Sequence, residues 1–134
     1  MKTFKLEILT PEYQFYSGDI VCLTLQIPDG QIAVMADHIP FFAPVEIGSL
    51  AIRTEDNTRT AFNSEGFLEV AKEYSVLFCQ ACEWPEEIDI NRALASKKRA
   101  EERIFRQKSL TEHKATQISL ARAMERLRIS NMRK

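Results

Sequence analysis

The hydrophobic periodicity of this 134-residue chain changes near Trp84-Pro85, and this change limits the chain to two differently built parts. Before it, apolar and polar residues alternate in short runs broken by turn residues, which is typical of β-strands. After Ile88, apolar residues recur three or four positions apart, as on one face of a helix. All 5 prolines, all 4 glycines and 11 of the 12 aromatic residues precede Ile88. The pattern predicts a β-domain over residues 1–84 and a helical segment over 85–134.

The first part consists of short alternating runs separated by polar turns. Phe4, Leu6 and Ile8 alternate with charged residues, and the run 23–27 ends at the turn 28–30. Strands this short, with turns about every eight to twelve residues, indicate a β-sandwich or a β-barrel.

The second part predicts two helices joined by a short polar turn. Asp89 is the predicted N-cap of the first, because its carboxylate can accept the free amides of the first turn. Ser109-x-x-Glu112 has the spacing of a capping box and predicts the start of the second helix. The predicted contact faces consist of Ile90, Leu94, Ala100, Ile104 and Phe105 on the first helix, and Leu120, Ala121, Ala123, Met124 and Leu127 on the second. Such a pair predicts an antiparallel hairpin.

The net charge divides at nearly the same place as the periodicity. Residues 1–87 carry 5 Lys/Arg and 14 Asp/Glu, a net charge of −9, whereas residues 88–134 carry 13 and 5, a net charge of +8. The basic part is expected to meet a negatively charged partner. A nucleic-acid-binding module with a basic arm is one alternative. Against it, the arm has a single aromatic residue for base stacking, Phe105, and the acidic part would repel a long polyanion.

The chain contains three cysteines, an odd number that cannot all pair with one another, and this favours reduced thiols. Cys79-x-x-Cys82 has the spacing of a redox or zinc motif. If residues 79–82 continue one strand, however, the two thiols point to opposite faces. We therefore interpret them as ordinary core and surface cysteines. A zinc site usually needs about four ligands, and only Cys22, His38 and His113 are otherwise available.

The arginines of the second part fall on shared helix faces. Arg92, Arg99 and Arg103 share one face, and Arg122 and Arg126 share another. In a folded hairpin these guanidinium groups could converge on one polyanion, because the planar fork of arginine binds phosphate oxygens in pairs. The alternative interpretation is a solvent-exposed basic face.

No enzymatic or membrane-spanning pattern is present in the sequence. Neither His38 nor His113 has a nucleophile or relay partner nearby in sequence, and the glycines stand too far apart for a phosphate loop. No run approaches the ~20 apolar residues of a membrane span, and the alternating start is unlike a signal peptide. We predict no catalytic residue and no metal site.

The order of these parts resembles the epsilon subunit of the bacterial F-type ATP synthase over nearly the whole chain. Residues 30–40, 66–70, 88–93 and 121–127 carry the resemblance, and Ile-Asp-Ile-Asn-Arg-Ala at 88–93 is similar to the nucleotide-binding motif of ATP-sensing members. The chain departs from the family pattern at Gln31, Ile32, Ala33, Ala36, Asp37 and Glu65. A lost glycine costs backbone freedom, so we expect altered turns there.

The resemblance implies an α+β fold and a non-catalytic regulatory and coupling subunit. Residues 1–84 are expected to form a ten-stranded β-sandwich that docks on the central stalk and the rotor ring. Residues 85–134 are expected to form an antiparallel two-helix hairpin, either folded or extended along the stalk. The subunit would couple proton-driven rotation to ATP synthesis, and its extended hairpin would inhibit ATP hydrolysis.

The resemblance also implies ligands, partners and a location. The regulatory ligand is ATP, with or without Mg²⁺, and there is no catalytic cofactor. The partners are the gamma subunit, the c-ring and, for the extended hairpin, the catalytic beta and alpha subunits, without nucleic acid or direct membrane insertion. The location is peripheral, at the cytoplasmic face of the cell membrane. The implied ATP contacts are Glu83, Asp89, Arg92, Arg99, Arg122 and Arg126, with the arginines on the phosphates and the carboxylates on the adenine amino group.

Overall fold

A computed structural model describes residues 2–104 and 110–133, and it divides the chain into two compact units, Met1–Trp84 and Pro85–Lys134. The first unit contains ten β-strands in two sheets, and the second contains two packed helices. The predicted α+β class, a sandwich followed by a helical hairpin, is confirmed.

The strands of the first unit are short, and three of them were not predicted. Their bounds are β1 Phe4–Leu9, β2 Gln14–Ile20, β3 Cys22–Ile27, β4 Gly30–Met35, β5 Phe41–Val45, β6 Gly48–Arg53, β7 Thr58–Asn63, β8 Gly66–Val70, β9 Tyr74–Cys79 and β10 Cys82–Glu83. β2 and β5 lack a clean alternation, and β5 contains Pro44. Both strands lie at sheet edges, where a missing ladder donor is tolerated.

The ten strands form two five-stranded sheets. The first sheet has the order β2-β1-β9-β8-β5 and the second has the order β10-β7-β6-β3-β4. β1 and β9 pair in parallel, and the other pairs are antiparallel. The fully buried large side chains include Leu6, Ile8, Leu23, Leu25, Leu50, Ile52, Leu68 and Leu77. Each such side chain contributes about 1.5–3 kcal/mol by leaving water, so this core is the stable part of the unit.

The two cysteines of Cys79-x-x-Cys82 do not lie on opposite faces, so that prediction is wrong. Cys79 ends β9 in the first sheet, and Cys82 begins β10 in the second. Between them, the chain turns from one sheet to the other, and both side chains enter the same core cluster. The alternation rule fails because residues 79–82 are not one strand.

The turn at Ala36-Asp37 keeps a left-handed residue although it has no glycine. Asp37 has a φ of 63°, a conformation that aspartate tolerates better than most residues. Its carboxylate pairs with the Lys2 ammonium group. Aspartate therefore supports a left-handed turn at this departure from the family pattern.

The second unit contains α1 Ile90–Ile104 and α2 Leu110–Ser130, flanked by 3-10 turns at Pro85–Glu87 and Asn131–Arg133. The predicted N-cap is confirmed: the Arg92 backbone amide donates to Oδ1 of Asp89 at 3.0 Å. Ser109 of the capping box and Phe105 of the predicted stripe lie outside the described residues. The turn Pro85–Glu87 contacts the turn Asn131–Arg133, so the start of α1 meets the end of α2 and the helices run antiparallel.

Most of the buried side chains of the two helices, among the described residues, are small. The buried residues of α1 are Ala93 and Ala100, and those of α2 are Thr116, Ala123, Ile129 and Ser130. Several residues of the predicted faces are instead exposed, namely Ile90 (37%), Leu94 (50%), Met124 (51%) and Ala121. Two helices approach closely only where small side chains lie between them. The bulky side chains of the predicted faces therefore lie to the side of the contact.

Candidate functional site

Three arginines of the hairpin directly precede a buried alanine. The pairs are Arg92-Ala93, Arg99-Ala100 and Arg122-Ala123, and Arg126 precedes the half-buried Leu127 in the same way. One residue step turns an α-helix by about 100°. Each arginine is therefore displaced from the line of helix contact by the same angle and in the same rotational sense.

This repeated displacement places the four arginines on one side of the hairpin. In an antiparallel pair of helices, equal displacements of the same sense from the contact line point to the same side. Arg92 lies in the first turn of α1, and Arg126 lies near the end of α2, so these two also share an end of the hairpin. Arg99 and Arg122 lie farther along their helices, towards the connection between α1 and α2.

The two arginines of α2 are less exposed than the two of α1. Arg92 and Arg99 are exposed, whereas Arg122 and Arg126 are half-buried. Burial lowers the pKa of the Arg122 guanidinium, and the positive charge of Arg126 lowers it further. Placing two positively charged, partly buried guanidinium groups near each other costs free energy. An anion bound beside Arg122 and Arg126 would offset this cost.

The two predicted carboxylates occupy different settings. Asp89 is exposed, and its Oδ1 already serves as the N-cap acceptor of α1. Glu83 is half-buried in β10, opposite Phe62 of β7, and belongs to the first unit. The structure thus brings the four arginines and Asp89 into one helical unit, while Glu83 is described only within the sandwich.

A cluster around Trp84 ends the first unit, and the sequence did not predict it. The Arg59 guanidinium lies 3.6 Å from the Trp84 ring centre, and the Phe15 ring centre lies 4.6 Å from it. The Tyr13 hydroxyl donates to the Cys82 carbonyl at 2.7 Å. The only sequence signal was a single tryptophan directly before Pro85.

Aromatic side chains cover part of the outer face of the first sheet. Phe42, Phe67 and Phe78 are 65%, 51% and 46% exposed, and the Phe42 and Phe67 rings stack with centres 5.5 Å apart. In the sheet register, Phe67 lies between Phe78 and Pro44. We call Phe42, Phe67 and Phe78 the aromatic face. The sequence gives a signal for Phe67 and Phe78, which occupy the outward phase of predicted strands, but none for Phe42, whose strand was not predicted.

The described residues contain neither a candidate metal-binding cluster nor a candidate membrane-spanning helix. No group of three or more His, Cys, Asp or Glu side chains in residues 2–104 and 110–133 is placed to hold a metal ion. Within the same ranges, neither helix combines the length and the apolar character needed to cross a membrane.

Comparison with protein families gives two adjacent matches. Residues 3–85 match the ATP synthase delta/epsilon chain β-sandwich domain, and residues 86–131 match the delta/epsilon chain long α-helix domain. Among curated proteins, the chain is 44% identical to the ATP synthase epsilon chain of Caldanaerobacter subterraneus, over 97% of this chain and 95% of that one. It is 41% identical to the epsilon chain of Ruminiclostridium cellulolyticum over the full length of both.

Two solved structures share the fold at low sequence identity. A chain of the Euglena gracilis mitochondrial ATP synthase (OSCP/F1/c-ring) has a TM-score of 0.78 at 16% identity, covering 92% of this chain and 78% of that one. A chain of the Tetrahymena thermophila mitochondrial ATP synthase central stalk and c-ring has a TM-score of 0.65 at 12% identity, covering 96% and 97%.

Proposed function

Since this chain belongs to the ATP synthase delta/epsilon chain family and is a non-catalytic epsilon subunit of the F-type central stalk, we propose that its hairpin senses ATP and restrains hydrolysis. In this proposal, ATP stabilises the folded hairpin, and ATP scarcity lets it extend towards the catalytic beta and alpha subunits. The sandwich stays docked on the gamma subunit and the c-ring, at the cytoplasmic face of the membrane, and couples rotation to synthesis.

The observation that carries the ATP proposal is the arginine-alanine repeat of the hairpin. It sets Arg92, Arg99, Arg122 and Arg126 on one side of the helix pair. A triphosphate would suit this side, because guanidinium groups bind phosphate oxygens in pairs. With these side chains on the phosphates, Asp89 and Glu83 would be left for the adenine amino group.

The thin hairpin contact supports control by a weak ligand. Among the described residues, the buried side chains of the two helices are mainly alanine, threonine and serine, so few large apolar side chains are buried in the hairpin. A ligand that binds only the folded state adds about 2.7 kcal/mol at a concentration of about a hundred times its dissociation constant. This is enough to reverse an equilibrium that differs by about one or two kcal/mol.

The aromatic face supports the docking part of the proposal. Exposed stacked rings are unfavourable in water and are enriched where proteins bind one another. Glu7 and Glu69 lie on the same side of the first sheet as the aromatic face. We therefore propose that the partner surface on the stalk is apolar at its centre and carries basic groups around it. Phe67→Ser in the assembled synthase should then weaken retention of the subunit during salt washing, whereas Arg128→Ala should not.

Calorimetric titration of ATP into the full chain tests the sensor. We expect saturable heat from the wild-type chain and from Arg128→Ala, whose side chain pairs with Glu125. Arg122→Ala and Arg126→Ala should each weaken binding about tenfold or more, as expected for a charge-assisted phosphate contact of about 1.5–3 kcal/mol. Absence of heat at millimolar ATP, or equal affinities in all four proteins, would rule out the proposed site.

Asp89 needs a separate control because it also caps α1. Asp89→Ser keeps an N-cap acceptor but removes the carboxylate. If Asp89 contacts ATP, this variant keeps its helix content but binds ATP more weakly. Unchanged affinity in Asp89→Ser would restrict the residue to capping.

A further inference from the structure

Cys79 and Cys82 lie on the two sides of a tight corner in the sandwich. Cys79 pairs with Gly66, and Cys82 pairs with Asn63, so the corner 80–81 lies against the corner 64–65. The Ser64 amide donates to the Ala81 carbonyl at 2.9 Å, and the Ala81 amide donates to the Ser64 hydroxyl at 2.7 Å. These bonds hold the two cysteines at fixed positions.

The side chains of Cys79 and Cys82 enter the same core cluster. Cys79 is 5% exposed and Cys82 is fully buried. A hydrogen bond from the Cys82 thiol lowers the pKa of Cys79, against the opposing effect of burial. Cys79 is therefore the thiol that a small oxidant reaches first, and Cys82 lies just across the corner from it in the same core cluster.

We propose that Cys79 and Cys82 form a reversible dithiol–disulfide pair whose oxidation locks β10 to the end of β9. β10 has only two residues, Cys82 and Glu83, and lies at the edge of the second sheet. A short edge strand opens easily, because few bonds hold it. A covalent link to β9 prevents this opening, directly before the boundary between the two units at Trp84.

The oxidant is a small peroxide, because the thiols are nearly inaccessible. The Cys79 thiolate attacks one peroxide oxygen, the O–O bond breaks, and hydroxide leaves to give a sulfenic acid. The Cys82 sulfur then attacks the Cys79 sulfur, the S–O bond breaks, and water leaves. In sum, two thiols and one hydrogen peroxide give one disulfide and two water molecules, and an added thiol reverses the reaction.

The effect of oxidation is local to β10. The disulfide would close a loop with only two intervening residues, so it removes little entropy from the unfolded chain. We therefore expect the melting temperature to change little, while amide exchange over residues 82–84 becomes slower. Fluorescence of Trp84, the single tryptophan, should also shift.

Mass spectrometry of the folded full chain after hydrogen peroxide treatment tests the pair. We expect the peptide containing residues 79–82 to lose two hydrogen atoms, with recovery after dithiothreitol. Cys22, which is half-buried and distant in sequence, serves as the internal control and should remain alkylatable. Cys82→Ser should prevent the loss, and the wild-type measurement remains decisive if that variant fails to fold.

Two results would overturn the proposal. The first is a folded wild-type chain in which both cysteines stay reduced, or gain oxygen atoms instead of forming the disulfide, under conditions that oxidise the unfolded chain. The second is a disulfide that leaves amide exchange over residues 82–84 unchanged, which would remove its role as a lock.

Discussion

The sandwich buries more and larger apolar side chains in its interior than the hairpin does in its own. The sandwich buries a layer of large aliphatic side chains from both sheets. The hairpin buries alanines, Thr116 and Ser130, and its only buried large side chains among the described residues are Ile88 and Ile129. The difference is what the proposed sensor needs, namely a firmly packed body joined to a helix pair with few large buried side chains.

This difference suits the proposed roles of the two units, docking for the sandwich and regulation for the hairpin. A docking body must keep its shape under load, which a thick core provides. A regulatory element must have two states separated by a few kcal/mol, which a thin contact of small residues allows. Substitutions confined to one unit, with both units followed separately, test this difference.

The largest expected effect is on the sandwich. In Gly66→Ala, the added Cβ would overlap the Phe78 carbonyl oxygen and lie 2.8 Å from the Cys79 Cα. Because backbone must move to relieve this overlap, we expect a loss of about 3 kcal/mol in the free energy of unfolding of the sandwich. Chemical denaturation followed by Trp84 fluorescence measures it.

Gly48→Ala is the matched control for this substitution. Its added Cβ would lie 3.3 Å from Cγ of Gln26, a flexible side chain that can shift. We expect a clearly smaller loss. Equal losses in the two variants would contradict the close packing of Gly66 in β8 against Phe78 and Cys79 in β9.

The second effect is confined to the hairpin. Ala123→Leu adds three carbon atoms at a side chain that is 1% exposed, on the contact between the helices. Overpacking of this kind costs about 1–3 kcal/mol, so the hairpin should open while the sandwich transition stays unchanged. Circular dichroism at the helix band and Trp84 fluorescence follow the two units separately. Ala121→Leu, at an exposed position, should leave both transitions in place.

A smaller effect is expected at the start of α1. Asp89→Ala removes the acceptor of the Arg92 amide and should cost about 1 kcal/mol of hairpin stability. Asp89→Ser should restore most of this stability, because serine is also a good N-cap. A full loss in Asp89→Ser would mean that the charge of the carboxylate, not the cap, stabilises the hairpin.

The smallest effect is expected at the Trp84 cluster. Arg59→Ala removes a guanidinium stacked on the indole ring, a contact worth about 0.5–1 kcal/mol when exposed. The emission of Trp84 should shift, with little change in hairpin helicity. Arg59→Lys keeps the charge but not the planar stack, and it should give an intermediate shift.

The elements with strict periodicity were predictable, and those without it were not. β1 and β3 follow from alternation, and the start of α1 follows from Asp89, because these signals are local. β2, β5 and the two-residue β10 were missed, since edge strands need not alternate cleanly. The CxxC prediction failed because a corner between two sheets is decided by long-range pairing, which no spacing in the sequence reveals.

The site was only partly predictable for a similar reason. Helical spacing grouped Arg92 with Arg99 and Arg122 with Arg126, but it could not relate the two helices to each other. That relation depends on which residues form the contact, and bulky Ile90, Leu94 and Met124 were wrongly predicted to form it. Only the packing of Ala93, Ala100 and Ala123 shows that the arginines share one side.

The sequence by itself determined that a β-domain is followed by a basic helix pair, because periodicity, capping and charge are properties of neighbouring residues. Tertiary structure alone decided that Ile90, Leu94 and Met124 stay exposed while Ala93 is buried. It also decided the Cys79–Cys82 pair, the Trp84 cluster and the aromatic face. These features join residues that are distant in sequence or reverse the usual burial of aromatic side chains. The free energy that selects them comes from packing two surfaces together, and no local pattern contains it.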